Sequence, residues 1–392
     1  MLSLHGRVIS IKSVPSVSAQ GAIFRATELA ASMGNSSSAY IVRNAEIPKG
    51  HAAYLFPEPQ AELAKTLSDD QLGILLPPEL SYISDGDIVR VEPDGRKARV
   101  LYRRNSPSNH FLVTERCDNY CLMCSQPPRD VDDGWVIEEI LECLPLISQE
   151  TKELGFTGGE PTLLGQRFLD VLAACKMILP QTGIHVLSNG RRFSDVKFTR
   201  DWAKLEHPDL MVGIPVYSDV STIHDYVVQA DGAYDQTIRG ILNLKELEQR
   251  VEIRVVLHKQ TFSRLPQLAE FLARNLLFVD HVALMGLEIM GFTRANLESL
   301  WIDPTEYQKE LYEAVQLLDS AGMRVSIYNL PLCLLDRRLW SWAVQSISDW
   351  KNEYLPECEE CSVKNKCAGF FFSAKYKSSN KIRAIQDEMP FK

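Results

Sequence analysis

Seven of the nine cysteines in this 392-residue chain fall into two groups. The first group is CDNYCLMC, with Cys117, Cys121 and Cys124 spaced by three residues and then two. Three thiolates can hold three irons of an iron–sulfur cube and leave the fourth open, and an open position separates a catalytic metal from a structural one. A zinc knuckle completed by a distant histidine satisfies the same residues. A second feature is FTGGEP, where Gly158 and Gly159 let a ligand approach the backbone and the Glu160 carboxylate suits a cationic amine. A third is LSNG, in which Ser188 and Asn189 offer polar groups. Near the C-terminus stand Cys333, Cys358, Cys361 and Cys367, whose four thiolates fit a closed iron–sulfur cluster or a zinc ion equally well by count. The other two, Cys143 in EEILECLPLI and Cys175 in LDVLAACKMIL, lie on apolar stripes of predicted helices and read as buried core thiols.

These groups need elements to hold them. From residue 110 onward, strand-like runs alternate with helical ones: HFLVTE, ELGFTG, IHVLSN, LMVGIPV, VEIRVVL and HVALMG are separated by helices over roughly 135–149, 164–179, 195–205, 233–249 and 263–275. A sixth helix opens at Asp303-Pro304-Thr305-Glu306, an N-cap with proline at N1 and an acid at N3, and MRVSIYN supplies a seventh strand. Six βα units in a row predict a parallel sheet with right-handed crossovers, open or curled into an incomplete barrel. All three signals CDNYCLMC, FTGGEP and LSNG then fall at the C-terminal ends of consecutive strands, where such sheets keep their sites. Residues 1–105 differ: short β-like runs such as GRVISIKSV, AAYLFPE and GDIVRVEPDGRKARVLYR alternate with turn residues, and Asp94-Gly95 marks a hairpin. We expect a small, mostly β domain over 1–105, closed by the linker NSPSN, an α/β domain over 110–322, and a cysteine-bearing extension over 323–392.

Composition bounds the partners. With 42 Lys+Arg against 51 Asp+Glu, the net charge is −9, which disfavours a nucleic-acid backbone as the main partner. The start MLSLHGRVISIKS lacks a charged n-region followed by an apolar run, and no run of about 18 apolar residues exists. A soluble, cytoplasmic protein without a membrane partner is expected, and in a reducing compartment clustered cysteines point to metal rather than disulfides.

In this order and at these strand ends, the three signals resemble the radical S-adenosylmethionine (SAM) superfamily over about residues 110–300. That resemblance implies a partial (β/α)6 barrel, a partial form of the TIM barrel, flanked by the β domain and an auxiliary-cluster extension. It implies that Cys117, Cys121 and Cys124 ligate a [4Fe-4S] cluster whose open iron is chelated by the amino and carboxylate groups of SAM. Gly158, Gly159 and Glu160 would receive the methionine amino group, and Ser188 and Asn189 its carboxylate or the ribose. The residue before the third cysteine is often aromatic in this family; here Met123 would present a flexible apolar face to adenine. Where many members have Ser-x-Asp-Gly on the fourth strand, IPVYSD places Pro215 and Tyr217, so the contact from that strand is left open. The spacing of Cys358, Cys361 and Cys367 resembles part of the auxiliary region in peptide-modifying members, in a shorter version with Phe371 where the two-cluster form has a cysteine. An auxiliary [4Fe-4S] cluster on these three and Cys333 is implied, with zinc as the alternative.

Longer strings, FLVTERCDNYCLMCSQPP, VALMGLEIMGF and YNLPLCLLDRRLWSWAVQSISDWKNEY, are similar to the C-type radical SAM maturase of the His-Xaa-Ser system. The similarity implies post-translational modification of a ribosomally synthesised precursor peptide (a RiPP) carrying His-Xaa-Ser repeats. It also implies a companion radical SAM protein and a reductant such as flavodoxin or ferredoxin. A radical enzyme acting on a small molecule or a protein glycyl site, and a non-catalytic iron–sulfur or zinc scaffold, are the other classes compatible with these residues. His224-Asp225 reads as a helix-start contact rather than an acid/base pair. Arg239 is expected to face the same rim, as a candidate to bind substrate or cofactor, and the basic tail SAKYKSSNKIRAI, able to touch an acidic leader peptide, reads rather as a solvated end.

Overall fold

A computed structural model describes residues 4–11, 21–29, 35–69, 71–345 and 353–386. The run GRVISIKSV is therefore described only as far as Ile11, and residues 346–352 of the tryptophan-rich string lie outside the described residues. The chain packs as two compact units. The first comprises Met1–Phe111 with Glu138–Leu154 and Met177–Thr182; the second comprises Leu112–Ile137, Gly155–Lys176 and Gly183–Lys392.

In the first unit eight strands form one sheet: β1 (His5–Arg7), β2 (Ile9–Ile11), β3 (Ala22–Thr27), β4 (Asn35–Ile41), β5 (His51–Phe56), β6 (Leu72–Leu75), β7 (Ile88–Val91) and β8 (Lys97–Tyr102). Their order is β1-β8-β7-β3-β4-β5-β6-β2. Its two ends, β1 and β2, are separated in sequence by Val8 alone, so the sheet returns on itself as a nearly closed barrel and its edges are largely consumed. Alternate residues point inward: Phe24 and Ala26, Ala39 and Ile41, Ala53 and Leu55, Val89 and Val91, Ala98 and Val100 share one core. β7 and β8 form the hairpin expected at Asp94-Gly95, with Gly95 at φ +65° and the Asp94 carboxylate accepting from Arg96 N at 2.9 Å. Three adjacent pairs, β3–β4, β4–β5 and β5–β6, are parallel.

The α/β region carries β9 (Asn109–Leu112), β10 (Glu153–Thr157), β11 (Gly183–Leu187), β12 (Leu210–Pro215), β13 (Arg250–Leu257), β14 (His281–Gly286) and β15 (Val325–Tyr328). They lie in strict chain order, β15-β14-β13-β12-β11-β10-β9, with β11 through β15 paired in parallel. The helices are α1 (Trp135–Cys143), α2 (Gln166–Ile178), α3 (Val196–Ala203), α4 (Ser221–Val228), α5 (Ala233–Glu246), α6 (Leu265–Asn275), the single turns α7 (Phe292–Ala295) and α8 (Leu297–Leu300), and α9 (Gln308–Ser320). Strands alternating with helices in this order make the partial barrel of the α/β class. Asp303 caps as its residue type predicts, its carboxylate accepting from Thr305 N at 3.0 Å before α9 begins. Cys143 and Cys175 are fully buried on α1 and α2. Among the described residues no helix is long and apolar enough to cross a membrane.

Register sorts the strand residues into two faces. On one, Val186, Val212, Val251, Ile253, Val255, Val282, Leu284 and Ile327 are buried, as expected where crossover helices cover a parallel sheet. The other face rises in layers toward the C-terminal strand ends. The row Leu187–Gly213–Glu252–His281 is followed by Pro215–Arg254–Ala283–Ser326, and then by Val256–Met285–Tyr328. It mixes polar with apolar residues: Glu252, His281 and Ser326 are buried, and exposure increases toward the strand ends, where Val256, Met285 and Tyr328 are only partly buried.

Candidate functional site

The site is built from the loops that follow the first three strands of the second sheet. The cysteine loop leaves β9 through Val113, whose N–H bonds Thr157 O on β10 at 2.8 Å. Buried Asp133 fixes its first turn by accepting from Thr114 Oγ1 at 2.8 Å and Glu115 N at 2.6 Å. Beyond the turn, Tyr120 N and Leu122 N bond the carbonyls of Val228 and Val227 at the end of α4. From the other side, Thr293 Oγ1 donates to Met123 O at 3.0 Å, Asn296 Nδ2 to Leu122 O at 2.9 Å, and Phe292 N to Cys124 O at 2.8 Å. The cysteine loop is thus clamped between α4 and the α7–α8 turns.

The GGE loop lies directly against it. Gly159 N donates to Thr114 O at 2.7 Å and Glu160 N to Arg116 O at 2.8 Å. A Cβ on Gly158, which sits at φ +144°, would stand 2.4 Å from Thr114 O, and one on Gly159 would stand 2.0 Å from Arg116 O. The sequence reading gave these glycines to an approaching ligand; at their Cβ positions, what approaches is the backbone of the cysteine loop itself.

Glu160 is 1% exposed. Its Oε1 accepts from Thr162 N (3.0 Å), Thr162 Oγ1 (2.6 Å) and Ser188 Oγ (2.9 Å), and its Oε2 from Asn189 N (2.6 Å). Burial raises its pKa, and those four donors oppose the rise. Ser188 Oγ in turn accepts from Gly190 N, and Asn189 Nδ2 donates to the Asp118 carboxylate at 2.6 Å. Arg191, which the sequence reading did not single out, closes the circuit: its Nη1 reaches Asp118 O at 2.6 Å and Asn119 Oδ1 at 2.7 Å. Glu160, Ser188 and Asn189 therefore tie the three loops together, with their side-chain atoms engaged inside the protein.

The three thiols stand within one another's electrostatic reach, and none is in a disulfide. Burial pushes Cys117 up to about 12 and raises Cys121 and Cys124 as well, and neighbouring thiolates add to the rise at Cys117 and Cys121. As bare groups they stay neutral; becoming thiolates together requires a cationic centre among them. Cys117 Sγ also accepts from Asn119 N at 3.4 Å. The donor set fits an iron–sulfur group. Among the described residues no three His, Cys, Asp or Glu side chains converge on a single-ion position.

Met123 and Tyr217 are both nearly buried and pack together with Val227, Val228, Ala233 and Leu300, against which Val256 and Leu287 also rest. The Tyr217 ring lies 5.8 Å from the His224 ring and 6.1 Å from that of His258. Burial lowers both histidines to about 4, so they serve this wall as neutral rings. His224 Nδ1 accepts from Tyr217 N, and the Asp225 carboxylate accepts from Gly232 N and Tyr234 N at the start of α5, a helix-start contact as the sequence suggests. Arg239 is exposed on α5.

Sequence reasoning missed a charged cluster on the strand face below. Glu252 Oε2 meets His281 Nδ1 at 2.8 Å and its Oε1 accepts from Arg254 Nη1 at 2.6 Å, while His281 Nε2 lies 2.9 Å from Ser326 Oγ. Burial acts against the Glu252 charge, but His281 and Arg254 prevail and hold it at about 2. The signal was present as Glu252 and Arg254 at i and i+2 in VEIRVVL, one face of a strand.

The C-terminal cysteines also come together: Cys358, Cys361 and Cys367 each act electrostatically on Cys333, whose thiol burial pushes up to about 11. Cys367 Sγ accepts from Leu332 N at 3.3 Å and Gly369 N at 3.4 Å. The basic side chains of the tail are exposed, as expected of a solvated end, but its backbone is tied in: Ile385 is 7% exposed and its N–H bonds Cys361 Sγ at 3.4 Å.

Residues 111–272 match the model of the radical SAM superfamily. No curated protein matches the chain. Among solved structures, native anSMEcpe with bound S-adenosylmethionine is similar at 14% identity over 70% of this chain and 91% of its own, with a TM-score of 0.50. Streptococcus suis SuiB bound to S-adenosylmethionine aligns at 15% identity over 58% of this chain, with a TM-score of 0.46, and the alignment spans 51% of SuiB. Coproporphyrinogen III oxidase (HemN) from Escherichia coli, a radical SAM enzyme, aligns at 13% identity over 56% of this chain and 54% of its own, with a TM-score of 0.41. Such identities speak to fold alone. The three loops of the site all lie within the residues that match this model.

Proposed function

We propose that this radical SAM protein modifies a ribosomally synthesised precursor peptide of the His-Xaa-Ser repeat type, beside a companion radical SAM protein and with electrons from a flavodoxin- or ferredoxin-like reductant. The observation that carries the radical part of this reading is the circuit, through Asp118, that ties the loop of Cys117, Cys121 and Cys124 to Glu160, Ser188 and Asn189. Residue types suited to a cluster and to SAM thus meet at the ends of three consecutive strands. Cys117, Cys121 and Cys124 would hold a [4Fe-4S] cluster, and Gly158, Gly159 and Glu160 would form the amine-facing side of the SAM site. When bound, this pair supplies a one-electron cleavage that yields a carbon radical able to take hydrogen from an unactivated C–H bond.

The chain's own residues orient and exclude. Met123, Tyr217 and Val256 form an apolar wall that keeps water from the reacting centre. Arg254, 24% exposed at its side chain and braced from below by Glu252, presents guanidinium N–H groups to the lumen, where a peptide carbonyl or hydroxyl would be held. Cys333, Cys358, Cys361 and Cys367 would hold the auxiliary [4Fe-4S] cluster. Their spacing is what supports a peptide rather than a small molecule as substrate.

The test is to incubate the reconstituted protein, alone and with its companion, with SAM, a strong reductant and a synthetic peptide bearing His-Xaa-Ser repeats. A mass change in the peptide, matched by 5′-deoxyadenosine, is expected. 5′-Deoxyadenosine with no change in any such peptide would overturn the substrate assignment.

A further inference from the structure

The basic tail is held along its length. Lys377 Nζ stands 4.7 Å above the Trp301 ring, Arg294 lies 4.2 Å over Tyr376, and Lys381 Nζ donates to Thr305 Oγ1 at 2.9 Å. Ser379 is 6% exposed, and its Oγ accepts from Lys381 N at 3.1 Å. Beyond these anchors the backbone turns onto the second cysteine group. Ser362 grips Ile385 O twice, through N at 2.9 Å and Oγ at 2.8 Å, and Gln386 Nε2 bonds Glu360 O at 3.4 Å. With the chain so fixed, Ile385 N donates to Cys361 Sγ at 3.4 Å, and the Arg383 backbone opposes the burial that raises the Cys333 thiol.

Two of the four sulfurs, Cys361 and Cys367, accept backbone N–H groups, and Cys361 receives its donor from the tail. Two independent grips, the cationic anchors and the Ser362–Ile385 pairing, hold that donor in place. N–H groups aimed at ligating sulfurs stabilise the more negative, reduced state of a cluster, and exclusion of solvent tunes it further.

We propose that residues 379–386 form the closing wall of the second cysteine site, shutting it to outside ligands and raising the reduction potential of the cluster it holds. This rests on the reading that the four cysteines carry an auxiliary [4Fe-4S] cluster. Four protein thiolates under a fixed cover leave no iron for a substrate atom, so the site exchanges electrons and does not bind the peptide.

The test uses the full chain with Cys117→Ala, Cys121→Ala and Cys124→Ala, so that only the second site loads. It is compared with the same chain carrying Ile385→Pro, which removes one N–H donor, and with one ending after Ser378. Iron content, the potentiometric midpoint followed by EPR, and the rate of iron loss to a chelator are measured. The parent is expected to hold about four irons and to give an EPR signal unmoved by added cyanide. Ile385→Pro should keep its iron at a lower potential, and the truncated chain should lose iron about tenfold faster and respond to cyanide. Unchanged potential and release rate in both variants would overturn the proposal, even with a normal cluster present. If the parent loads zinc instead, the cluster reading and the potential shift fall together, and equal zinc release with and without the tail would refute the cover too.

Discussion

Replacing Glu160 by glutamine separates a carboxylate that ties loops from one that only waits for SAM. Oε1 takes three donors and Oε2 takes one, the N–H of Asn189 at 2.6 Å. The amide of Glu160→Gln can keep its oxygen on the three-donor side, but its NH2 then faces Asn189 N–H. A buried backbone donor left without an acceptor costs about 2 kcal/mol, which for a domain of this size lowers Tm by about 6 °C. Thermal unfolding of the anaerobic apoprotein reads this directly. Titration of the loaded protein with SAM should show about tenfold weaker binding, because the Ser188–Asn189 turn loses its anchor. A variant that melts with the wild type yet fails to bind SAM would refute the reasoning, since the carboxylate would then be a direct ligand and no tie. A variant unchanged in both would remove Glu160 from the site.

Gly159→Ala places a Cβ 2.0 Å from Arg116 O, so the cysteine loop must move; reconstituted iron should fall from about eight to about four per chain. Glu139→Ala removes the carboxylate shared at 2.6 Å by Arg90 and Arg99 beside the β barrel, and urea unfolding should show about 3 kcal/mol of destabilisation. His185, His224 and His258 are each lowered by burial from 6.5 to about 4, so the folded state binds fewer protons than the unfolded one across that interval. Their contribution is complete above pH 6.5 and is lost as pH falls toward 4. The unfolding free energy of the apoprotein should therefore drop over that window, by up to about 1.4 kcal/mol per pH unit for each histidine, and its urea midpoint with it. A flat midpoint between pH 6.5 and 4 would contradict their buried neutral state. Glu252, held at about 2, adds a loss as pH falls from about 4.5 toward 2.

Much of the second sheet was legible because period and punctuation agreed. Each of the seven strand runs holds a strand, and Asp303-Pro304 opens the turn leading into α9. α4 was missed: Ser221–Val228 follows the strand end so closely that His224-Asp225 read as the start of α5, and Asp225 does cap that helix from within α4. In the first unit the hairpin at Asp94-Gly95 was plain, whereas β4, with NSSSAYI, has the composition of a loop and becomes a strand through parallel pairing on both sides. The cysteine, GGE and SNG residues were readable as a set because each follows a strand. Their mutual bonding was not, since Glu160 meets Asn189 across 29 positions and Asn189 meets Asp118 across 71. The tail was only half legible for a related reason: its lysines are exposed as expected, yet Lys377 lies over Trp301 and Lys381 reaches Thr305, and no local pattern encodes those partners.

The most direct test of the central claim is to purify the protein without oxygen and reconstitute it. Iron, sulfide and 5′-deoxyadenosine are then measured after adding SAM and a strong reductant, beside the variant with Cys117, Cys121 and Cys124 all changed to alanine. The account predicts about eight irons and 5′-deoxyadenosine from the wild type, against about four irons and none from the variant. 5′-Deoxyadenosine from the variant, or a fully loaded wild type that binds SAM yet releases none even with peptide and companion present, would contradict it.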